Sequence, residues 1–459
     1  MPDVAPSSSP PLRRWWIRLY ALPAFALAMP TIPLYVYLPT FYADALDIGL
    51  AATGAALLIA RIFDVLTDPL IGVASDRLHL PWGRRKPWIL AGALIAGVAL
   101  VRLFDPPTDV TATYLSVWAV VLFTGWTLVS VPYNAWGAEL SADYHERARI
   151  TGAREAMTIL GVLAAGAAPA AAVAFGANEA TGIAAVAWLA IGVGLPCIAL
   201  LLLRLPEPSR LPEAARPGTG VGWAEWRAIA RNRPFVRLLG GWFVNGLANG
   251  LPSVLFPLYL QYALQAGPLA RGVLVITYFL AAILAIPLWL RLSRRLGKHR
   301  AWCWAMLLAC AAFVWVPLLQ PGDGAVFFAI CVVTGMALGA DLALPPAMQA
   351  DVVDLDTLRT GRQRAGLFFA LWSMSTKLAL AAAVGIAFPV LEWAGFTPGS
   401  DNSREAILAI AVIYAVVPTV LKLTAVAIVW NHPLTEARQN IVRRRLDALA
   451  RRQSEGSSR

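Results

Sequence analysis

Residues 72–88 read GVASDRLHLPWGRRKPW and form a short basic segment between two long apolar runs, at 49–75 and 88–104. The glycines at Gly72 and Gly83 would allow neighbouring helices to approach closely. The segment also carries charged side chains that can form ion pairs at neighbouring helix ends, namely Asp76, Arg77, Arg84 and Arg85. Such pairs would latch one end of a helix bundle in a single conformation. The alternative is a plain basic loop, which many membrane proteins carry on one side.

The composition of the whole chain is typical of a polytopic membrane protein. Of its 459 residues, 58% are hydrophobic and 14% are charged, and the mean hydropathy is +0.63. A soluble core of this size would not need so many long apolar runs. Runs of about 20 residues, enough to cross a hydrocarbon layer of about 30 Å, occur about twelve times. The expected fold class is therefore all-α, with about twelve transmembrane helices in two six-helix bundles.

The net charge of +11 does not indicate nucleic-acid binding, because of where the basic residues lie. They are placed in short loops between apolar runs, such as RLSRRLGKHR at 291–300, and alternate loops such as QPGDG at 320–324 have no Lys or Arg. By the positive-inside rule this pattern predicts cytoplasmic termini in a bacterial inner membrane. We expect a monomer whose partners are membrane lipids and a small-molecule substrate, with no nucleic acid.

A polar stretch near the middle of the chain divides it into two apolar halves. This stretch, PEPSRLPEAARPGTGVGWAEWRAIARNR, reads as a cytoplasmic linker in which WAEWRAIA forms a short helix. The predicted order is a cytoplasmic tail, a six-helix bundle, the linker, a second six-helix bundle and a basic cytoplasmic tail, over 1–16, 17–205, 206–233, 234–431 and 432–459.

The two halves share a weak internal repeat. The fourth apolar run ends with an acid at Glu139 and a base at Arg147, and the tenth ends with Asp351 and Arg359 at the same offset. A repeat of this kind is expected when one bundle is duplicated along the membrane normal. Together with the linker, it favours a two-bundle transporter over a channel or a receptor, and we assign these four residues to the latch.

The stretch RIFDVLTDPLIG at 61–72 places charges inside an apolar run. Asp64 and Asp68 are four residues apart, so both carboxylates lie on one face of a helix, one turn apart. Buried like charges cost several kcal/mol unless a cation or a proton neutralises them. The pair therefore predicts a cation site. Arg61, one turn earlier, could pair with Asp64; a buried salt bridge without a transport role is the alternative, but it accounts for only one of the two acids.

Two further charges lie inside apolar runs of the second half. Lys377, in WSMSTKLALAA, has apolar flanks too long for snorkelling, so we expect it to face a central cavity. Asp341, in GMALGADLALPPAM, is an acid at similar depth, and a Lys377–Asp341 pair is one hypothesis.

Several polar and aromatic side chains inside the runs are candidates for contact with a substrate. Asn245 and Asn249 share one helix face, as groups that line a cavity would. The full set of candidates is Arg154, Tyr133, Asn134, Asn245, Asn249, Trp372 and Ser373. Interhelical hydrogen bonding or plain packing is an equally good explanation for each of them taken singly.

At these residues the chain resembles the major facilitator superfamily, and within it the melibiose-permease-like glycoside-pentoside-hexuronide:cation symporters. The matching stretches are RIFDVLTDP, WGRRKPWIL, VPYNAWGAEL and ADVVDLDTLRTGRQR, followed by Lys377. The resemblance implies symport of a sugar-like solute with Na⁺ or H⁺ by alternating access. It assigns the cation to Asp64 and Asp68, suggests oxygen ligands from Thr67 and Thr127, and makes Lys377 the link between the cation and substrate sites.

The chain departs from this family pattern on the substrate side. Ala28 and Ser130 stand where sugar-transporting members carry acids that grip sugar hydroxyl groups. The substrate could therefore be another polyol or glycoside, an anion held by Arg154 and Lys377, or an amphiphile, as in lysolipid carriers. A lysolipid carrier or an exporter is the alternative within transport, and a non-transporting membrane scaffold or assembly factor is the alternative outside it.

The remaining sequence features exclude other classes of function. There is no P-loop, no GxSxG and no metal-spaced Cys/His cluster, so we expect no enzyme, no cofactor and no metal other than Na⁺. The basic C-terminal tail has apolar residues at helical spacing, at Val442, Leu446 and Leu449. This pattern predicts an amphipathic helix on the inner leaflet, with a free solvated helix as the alternative.

Overall fold

The computed structural model describes residues 13–456 apart from 32, 35–37, 43–45, 47, 78–81, 108–109, 175–178, 208–222 and 398–401. Nine helices in this described part are long and apolar enough to cross a membrane. The polytopic helical architecture expected from hydropathy is therefore present, whereas the count of twelve spans stays a prediction. The first part of the predicted N-terminal tail and most of the predicted linker lie outside the described residues.

The helices are named here in chain order. The first half contains a short helix at Leu38–Thr40 and the helices α1 (Arg14–Ala28), α2 (Leu50–Arg77), α3 (Lys86–Phe104), α4 (Ala112–Glu139), α5 (Tyr144–Ala174) and α6 (Glu179–Arg204). The rest contains α7 (Trp223–Ala230), α8 (Arg233–Leu258), α9 (Pro268–Leu296), α10 (Lys298–Phe313), α11 (Gly324–Thr360), α12 (Ala365–Trp393), α13 (Arg404–Ala411), α14 (Val417–Val429) and α15 (Glu436–Gly456). The helix α7 coincides with the WAEWRAIA helix expected in the linker.

The described residues form two compact units. The first takes those within 1–219, 353–371 and 442–459, and the second takes those within 220–352 and 372–441. The end of α11, the start of α12 and most of α15 therefore belong to the first unit. The boundaries of the two predicted six-helix bundles stay a prediction.

Close packing of α2, α3 and α4 in the first unit brings the charged residues of α2 against α4. A side chain on Gly92 of α3 would place its Cβ 2.7 Å from the carbonyl oxygen of Gly125 on α4, so these two helices can touch only through glycine. The same holds in the second unit, where a Cβ on Gly339 of α11 would lie 2.5 Å from the carbonyl oxygen of Ala282 on α9. Glycine thus fixes the helix spacing in both units.

The C-terminal helix α15 differs from its expected position on a membrane surface. Val442 and Leu446 are each only 6% exposed, because protein covers the apolar face of the helix. Arg443 fixes the helix further through an ion pair, since its Nε lies 2.8 Å from Asp354 Oδ2. Leu449, near the end, is exposed. The amphipathic pattern was a correct sign of a helix with a buried face, but a protein surface rather than a lipid surface buries it.

Candidate cation and substrate sites

The helix α2 turns its acids inward and its large apolar side chains outward. Asp64 is 3% exposed and Asp68 is fully buried. The opposite face of the helix carries exposed apolar side chains suited to lipid contact, at Ile62, Phe63, Leu66 and Leu70. The spacing of four residues therefore does bring both carboxylates to the protected face of one helix.

A single threonine on α4 joins the two acids. Thr127 Oγ1 lies 3.1 Å from Asp64 Oδ1 and 2.9 Å from Asp68 Oδ1, and its side chain is fully buried. A hydroxyl has only one hydrogen, so it can donate to only one of the two carboxylates at a time. The other carboxylate oxygen then faces the lone pairs of the hydroxyl. Three oxygens therefore converge at a point where a proton or a small cation would relieve their repulsion.

Arg61 balances part of the negative charge. Its Nη1 lies 3.3 Å from Asp64 Oδ2, and its guanidinium carbon lies 4.7 Å from the centre of the Phe123 ring. Arg61 contacts only Asp64 among the two acids in these distances. Thr67 donates its hydroxyl hydrogen to the backbone carbonyl of Asp64 at 3.1 Å, which leaves the Thr67 oxygen lone pairs as the groups able to bind a cation.

The predicted substrate residues of the first unit contact one another near the start of α5. Arg154 donates to Asn134 Oδ1 and also to Glu155, with Nε 3.1 Å from Oε1. Tyr133 is 3% exposed and stacks on Tyr20 of α1, with ring centres 4.6 Å apart. These contacts give Tyr133 a packing role between α1 and α4, while its role in substrate binding stays a prediction.

The two departures from the family pattern lie in the first unit. Ala28 is 4% exposed and packs where α1 meets α5, since a Cβ added to Gly161 would lie 3.0 Å from that of Ala28. Ser130 is half-buried on α4. Neither position offers a carboxylate to a sugar.

In the second unit, Asp341 of α11 is surrounded by donors. Trp302 Nε1 donates to its Oδ1 at 2.5 Å, and Asn249 Nδ2 donates to its Oδ2 at 2.9 Å. Lys422 Nζ lies 3.5 Å from the same Oδ2 and 2.8 Å from Asn245 Oδ1. The two asparagines on one face of α8 therefore both reach a buried ion pair.

Sequence reasoning did not single out Lys422. It is an isolated lysine inside an apolar run, which is the signal that identified Lys377, so the sequence could have revealed it. The contacts of Asp341 described here come from Trp302, Asn249 and Lys422. The pairing of Lys377 with Asp341 stays a prediction.

The remaining candidates lie together on α12. Trp372 is 7% exposed and stacks on Trp242, with ring centres 4.5 Å apart. Ser373 and Lys377 are half-buried on the same helix. Trp242 Nε1 donates to Thr376 Oγ1 at 2.8 Å, so the Trp242 indole of α8 contacts two side chains of α12, Trp372 and Thr376.

Several of the predicted latch residues, among them Asp76, Arg84, Arg85 and Glu139, form a connected group in the first unit. Asp76 accepts the backbone N–H groups of Gly366 and Leu367, at 2.8 and 3.0 Å, and so caps the start of α12. Arg85 Nη2 donates to Asp76 Oδ1 at 2.7 Å and to Glu139 Oε1 at 2.9 Å. Burial opposes the charge of Arg85, but Glu139 and Asp76 outweigh it and raise the pKa of Arg85 above its ordinary value. A Cβ on Gly72 would lie 2.7 Å from the carbonyl oxygen of Gly366, so the contact needs glycine.

Glu207, which sequence reasoning did not identify, completes this group. Its carboxylate accepts the backbone N–H groups of Arg84, Arg85 and Lys86 at 2.7, 2.9 and 2.8 Å, as an anion does at a helix N-terminus. Gly83 has a φ of +126°, and a Cβ there would lie 2.6 Å from the Glu207 carboxylate. The loop therefore wraps around an acid that is distant in sequence.

The acids and bases of the internal repeat find partners in different places. Arg147 Nη1 lies 2.5 Å from Asp354 Oδ2, and in the second unit Lys298 Nζ lies 2.6 Å from Asp351 Oδ2. Arg84 contacts Glu139 and donates to Gln363 Oε1 at 2.7 Å. Arg77 and Arg359 are exposed.

The sequence matches the model of a family described as MFS/sugar transport protein, over residues 19–436. It is 23% identical to a glucuronide carrier protein homolog of Escherichia coli, with 90% of each chain covered. It is 25% identical to an isoprimeverose transporter of Lactiplantibacillus pentosus, with 90% of this chain and 87% of that protein covered. It is also 24% identical to the human sodium-dependent lysophosphatidylcholine symporter 1, with 89% and 81% covered.

Among solved structures, one similar to this chain is a bacterial homologue of the iron transporter ferroportin in its outward-facing state. The TM-score is 0.64 at 14% sequence identity, with 91% of this chain and 100% of that chain covered. At this identity the likeness concerns the fold alone.

Proposed function

Because the chain belongs to the MFS/sugar transport protein family, we propose that it moves a small organic solute together with one monovalent cation, Na⁺ or H⁺, by alternating access. The solute is sugar-like or glycoside-like, and the cation binds before it. Both termini lie in the cytoplasm of a bacterium, and the chain acts as a monomer in the inner membrane.

The family match settles the broader points. It confirms the expected major facilitator fold and the resemblance to cation symporters of glycosides, and it makes the chain a membrane transporter rather than an enzyme. It also argues against the non-transporting scaffold.

The observation that carries the proposal is the meeting of Asp64, Asp68 and Thr127 at one point. Two buried carboxylates that share one hydroxyl repel each other, a cation or a proton relieves that repulsion, and oxygen ligands suit Na⁺ or a proton. Thr67 is a further ligand, and Lys377 links the cation site to the substrate. The side chains proposed to bind the substrate are Arg154, Tyr133, Asn134, Asn245, Asn249, Trp372 and Ser373, and the latch holds one end closed between cycles.

The cation site can be tested before the substrate is known. Purified protein should show a rise in melting temperature when Na⁺ replaces choline or, if H⁺ is the ion, a contribution from the acid pair to the pH dependence of the melting temperature. Asp64→Asn and Asp68→Asn should each abolish this response, because the charge that attracts the ion is removed. Asp105→Asn is the matched control, since Asp105 is an exposed acid at the end of α3. A full response in both site variants would refute the proposal.

A second candidate is a carrier of lysolipids or other amphiphiles, or an exporter. It is supported by the relative named as a lysophosphatidylcholine symporter and by the absence of an acid at Ala28 and Ser130. Native mass spectrometry of the protein extracted with its lipids separates the two. Stoichiometric lysolipid that a glycoside does not displace would favour the amphiphile carrier.

A further inference from the structure

The buried ion pair of the second unit takes no part in the proposed cation site. Asp341 and Lys422 are each 3% exposed, and their charges cancel. Trp302, Asn249 and Asn245 supply the remaining hydrogen bonds. A buried pair of this kind inside a membrane span is seldom kept for stability alone.

One buried donor of this group has no acceptor among the described residues. Asn245 is fully buried, and its Oδ1 must face Lys422 because an ammonium group only donates. Its Nδ2 therefore points away from Lys422, and no partner is found for it in the described part of the protein. Leaving such a donor unsatisfied is costly, so the arrangement calls for an oxygen acceptor supplied from outside the chain.

The group has partly exposed neighbours on α8 and α12. Trp242 and Asn249 are half-exposed, and the indole of Trp242 is stacked on Trp372. Thr376, which accepts from the Trp242 indole, is exposed, and Lys377 is half-buried next to it. Charged and polar side chains inside a span face a cavity rather than lipid. The partly exposed Trp242 and Asn249 therefore mark the side from which we expect a solute to approach.

We propose that Trp242, Asn245 and the Asp341–Lys422 pair form a binding site for an uncharged ring bearing hydroxyl groups, and that this site rejects the same ring with a carboxylate. The proposal rests on the function proposed above and makes these residues determinants of substrate charge. The indole packs against the C–H face of the ring. A ring hydroxyl accepts from Asn245 Nδ2 and donates to Asp341. A ring carboxylate would instead lie next to the Asp341 carboxylate. The charge of Lys422 is already balanced by Asp341, so two like charges would be brought together.

A matched pair of ligands tests the charge preference. 4-Nitrophenyl β-D-xyloside and 4-nitrophenyl β-D-glucuronide differ only by the carboxylate on C5 of the sugar. Titration calorimetry of the full-length protein in Na⁺ should show binding of the xyloside and weaker binding of the glucuronide. Trp242→Ala should weaken xyloside binding by about tenfold or more, the change that one lost stacking contact of about 1.4 kcal/mol produces. Trp304→Ala is the control, because Trp304 is 49% exposed and its only ring contact among the described residues is with Trp430, at 6.1 Å.

The charge argument has its own test. Asp341→Asn leaves the Lys422 charge uncompensated, so preference should reverse towards the glucuronide. Asp341→Asn combined with Lys422→Met is neutral again and should return the preference to the xyloside. The rise in melting temperature with Na⁺ shows that each variant is folded.

The outcomes separate this proposal from the proposed function. The proposed site is wrong if wild-type protein binds neither ligand or prefers the glucuronide. It is also wrong if Trp242→Ala binds the xyloside as wild type does, or if Asp341→Asn keeps the wild-type preference. In those cases a buried water is the acceptor for Asn245. A Na⁺ response retained in those cases leaves the proposed function intact. A wild-type protein whose melting temperature shows neither the Na⁺ response nor the pH response expected of the acid pair would count against the proposed function instead.

Discussion

Thr127 holds two like charges at hydrogen-bonding distance from one hydroxyl. The contact joins α2 to α4 at a depth where both acids are shielded from water. A side chain that bridges two acids in this way contributes to ion binding twice, as a ligand and as the group that fixes the separation of the other two ligands.

We predict that Thr127→Val weakens cation binding by about tenfold, because a hydrogen bond to a charged group contributes about 1.5–3 kcal/mol and valine keeps the shape of threonine. The Na⁺ concentration that gives half of the maximal thermal shift measures the effect. Thr424→Val is the matched control, since the Thr424 hydroxyl donates only to its own helix, to the Val420 carbonyl at 2.9 Å. An unchanged half-saturation in Thr127→Val would mean that the hydroxyl is not a ligand.

At the scale of single residues, the sequence predicts contacts between side chains that lie within one turn of each other on the same helix. The four-residue separation of Asp64 and Asp68 was enough to place both on one face, and Arg61 lies within reach of Asp64 for the same reason. The partners of Asp341 were not predictable in this way. Trp302 and Lys422 come from helices 39 and 81 residues away, and only packing of α10, α11 and α14 brings them together.

At the scale of helices, the start of α12 depends on an acid from another helix. The N–H groups of Gly366 and Leu367 are among those that a helix leaves unsatisfied at its start, and Asp76 of α2 accepts both. The same carboxylate also accepts from Arg85 Nη2 at 2.7 Å. The cap therefore links the end of α2 to the start of α12.

We predict that Asp76→Asn lowers the melting temperature and speeds deuterium exchange of the Gly366 and Leu367 amides. An amide has one acceptor oxygen where the carboxylate has two, so one buried donor loses its partner at a cost of about 1–3 kcal/mol. Hydrogen exchange with mass spectrometry at 364–370 measures the effect. Exchange should stay at the wild-type level in Asp105→Asn, and equally slow exchange in Asp76→Asn would show that the cap does not hold α12.

The motif at 72–88 predicts some of the contacts that its residues make, but not all of them. Its acid and bases were expected to form ion pairs at helix ends, and Asp76, Arg84 and Arg85 do so. The motif did not reveal Glu207, because a carboxylate that accepts three backbone N–H groups leaves no pattern in the sequence around its own position.

At the scale of the whole molecule, the apolar composition predicted a polytopic helical membrane protein, and the family match agrees. The position of α15 was not predictable, because an apolar stripe shows that a face is buried but not what buries it. The ion pair of Arg443 with Asp354 indicates that protein rather than lipid covers this face. The sequence did not predict this pair, because Arg443 is one of several similar arginines in the tail.

The stability of the folded protein should fall on acidification because of His432, which follows α14. Burial lowers its pKa to about 4. Its Nδ1 accepts from the Leu434 N–H at 3.4 Å and its Nε2 lies 3.2 Å from the Pro234 carbonyl, which suits a neutral ring. Because the folded pKa is below the unfolded value of about 6.5, stability is full above that value and is lost as pH falls towards 4.

We predict a loss of about 2 kcal/mol between pH 7 and pH 5, seen as a fall in melting temperature. His432→Asn should flatten this part of the pH profile, whereas His145→Asn, the control on a half-buried histidine of α5, should not. A profile with the wild-type slope in His432→Asn would assign the effect to other groups.

The far end of α11 carries three acids, Asp351, Asp354 and Asp356, which are 2%, 6% and 3% exposed and are each matched by a base. At 0.1 M salt the attraction between exposed charges more than about 10 Å apart is largely screened, whereas buried pairs are screened much less. We therefore expect these contacts to persist over a wide range of ionic strength. The conformational balance of a carrier built in this way should then change little between dilute and saline surroundings.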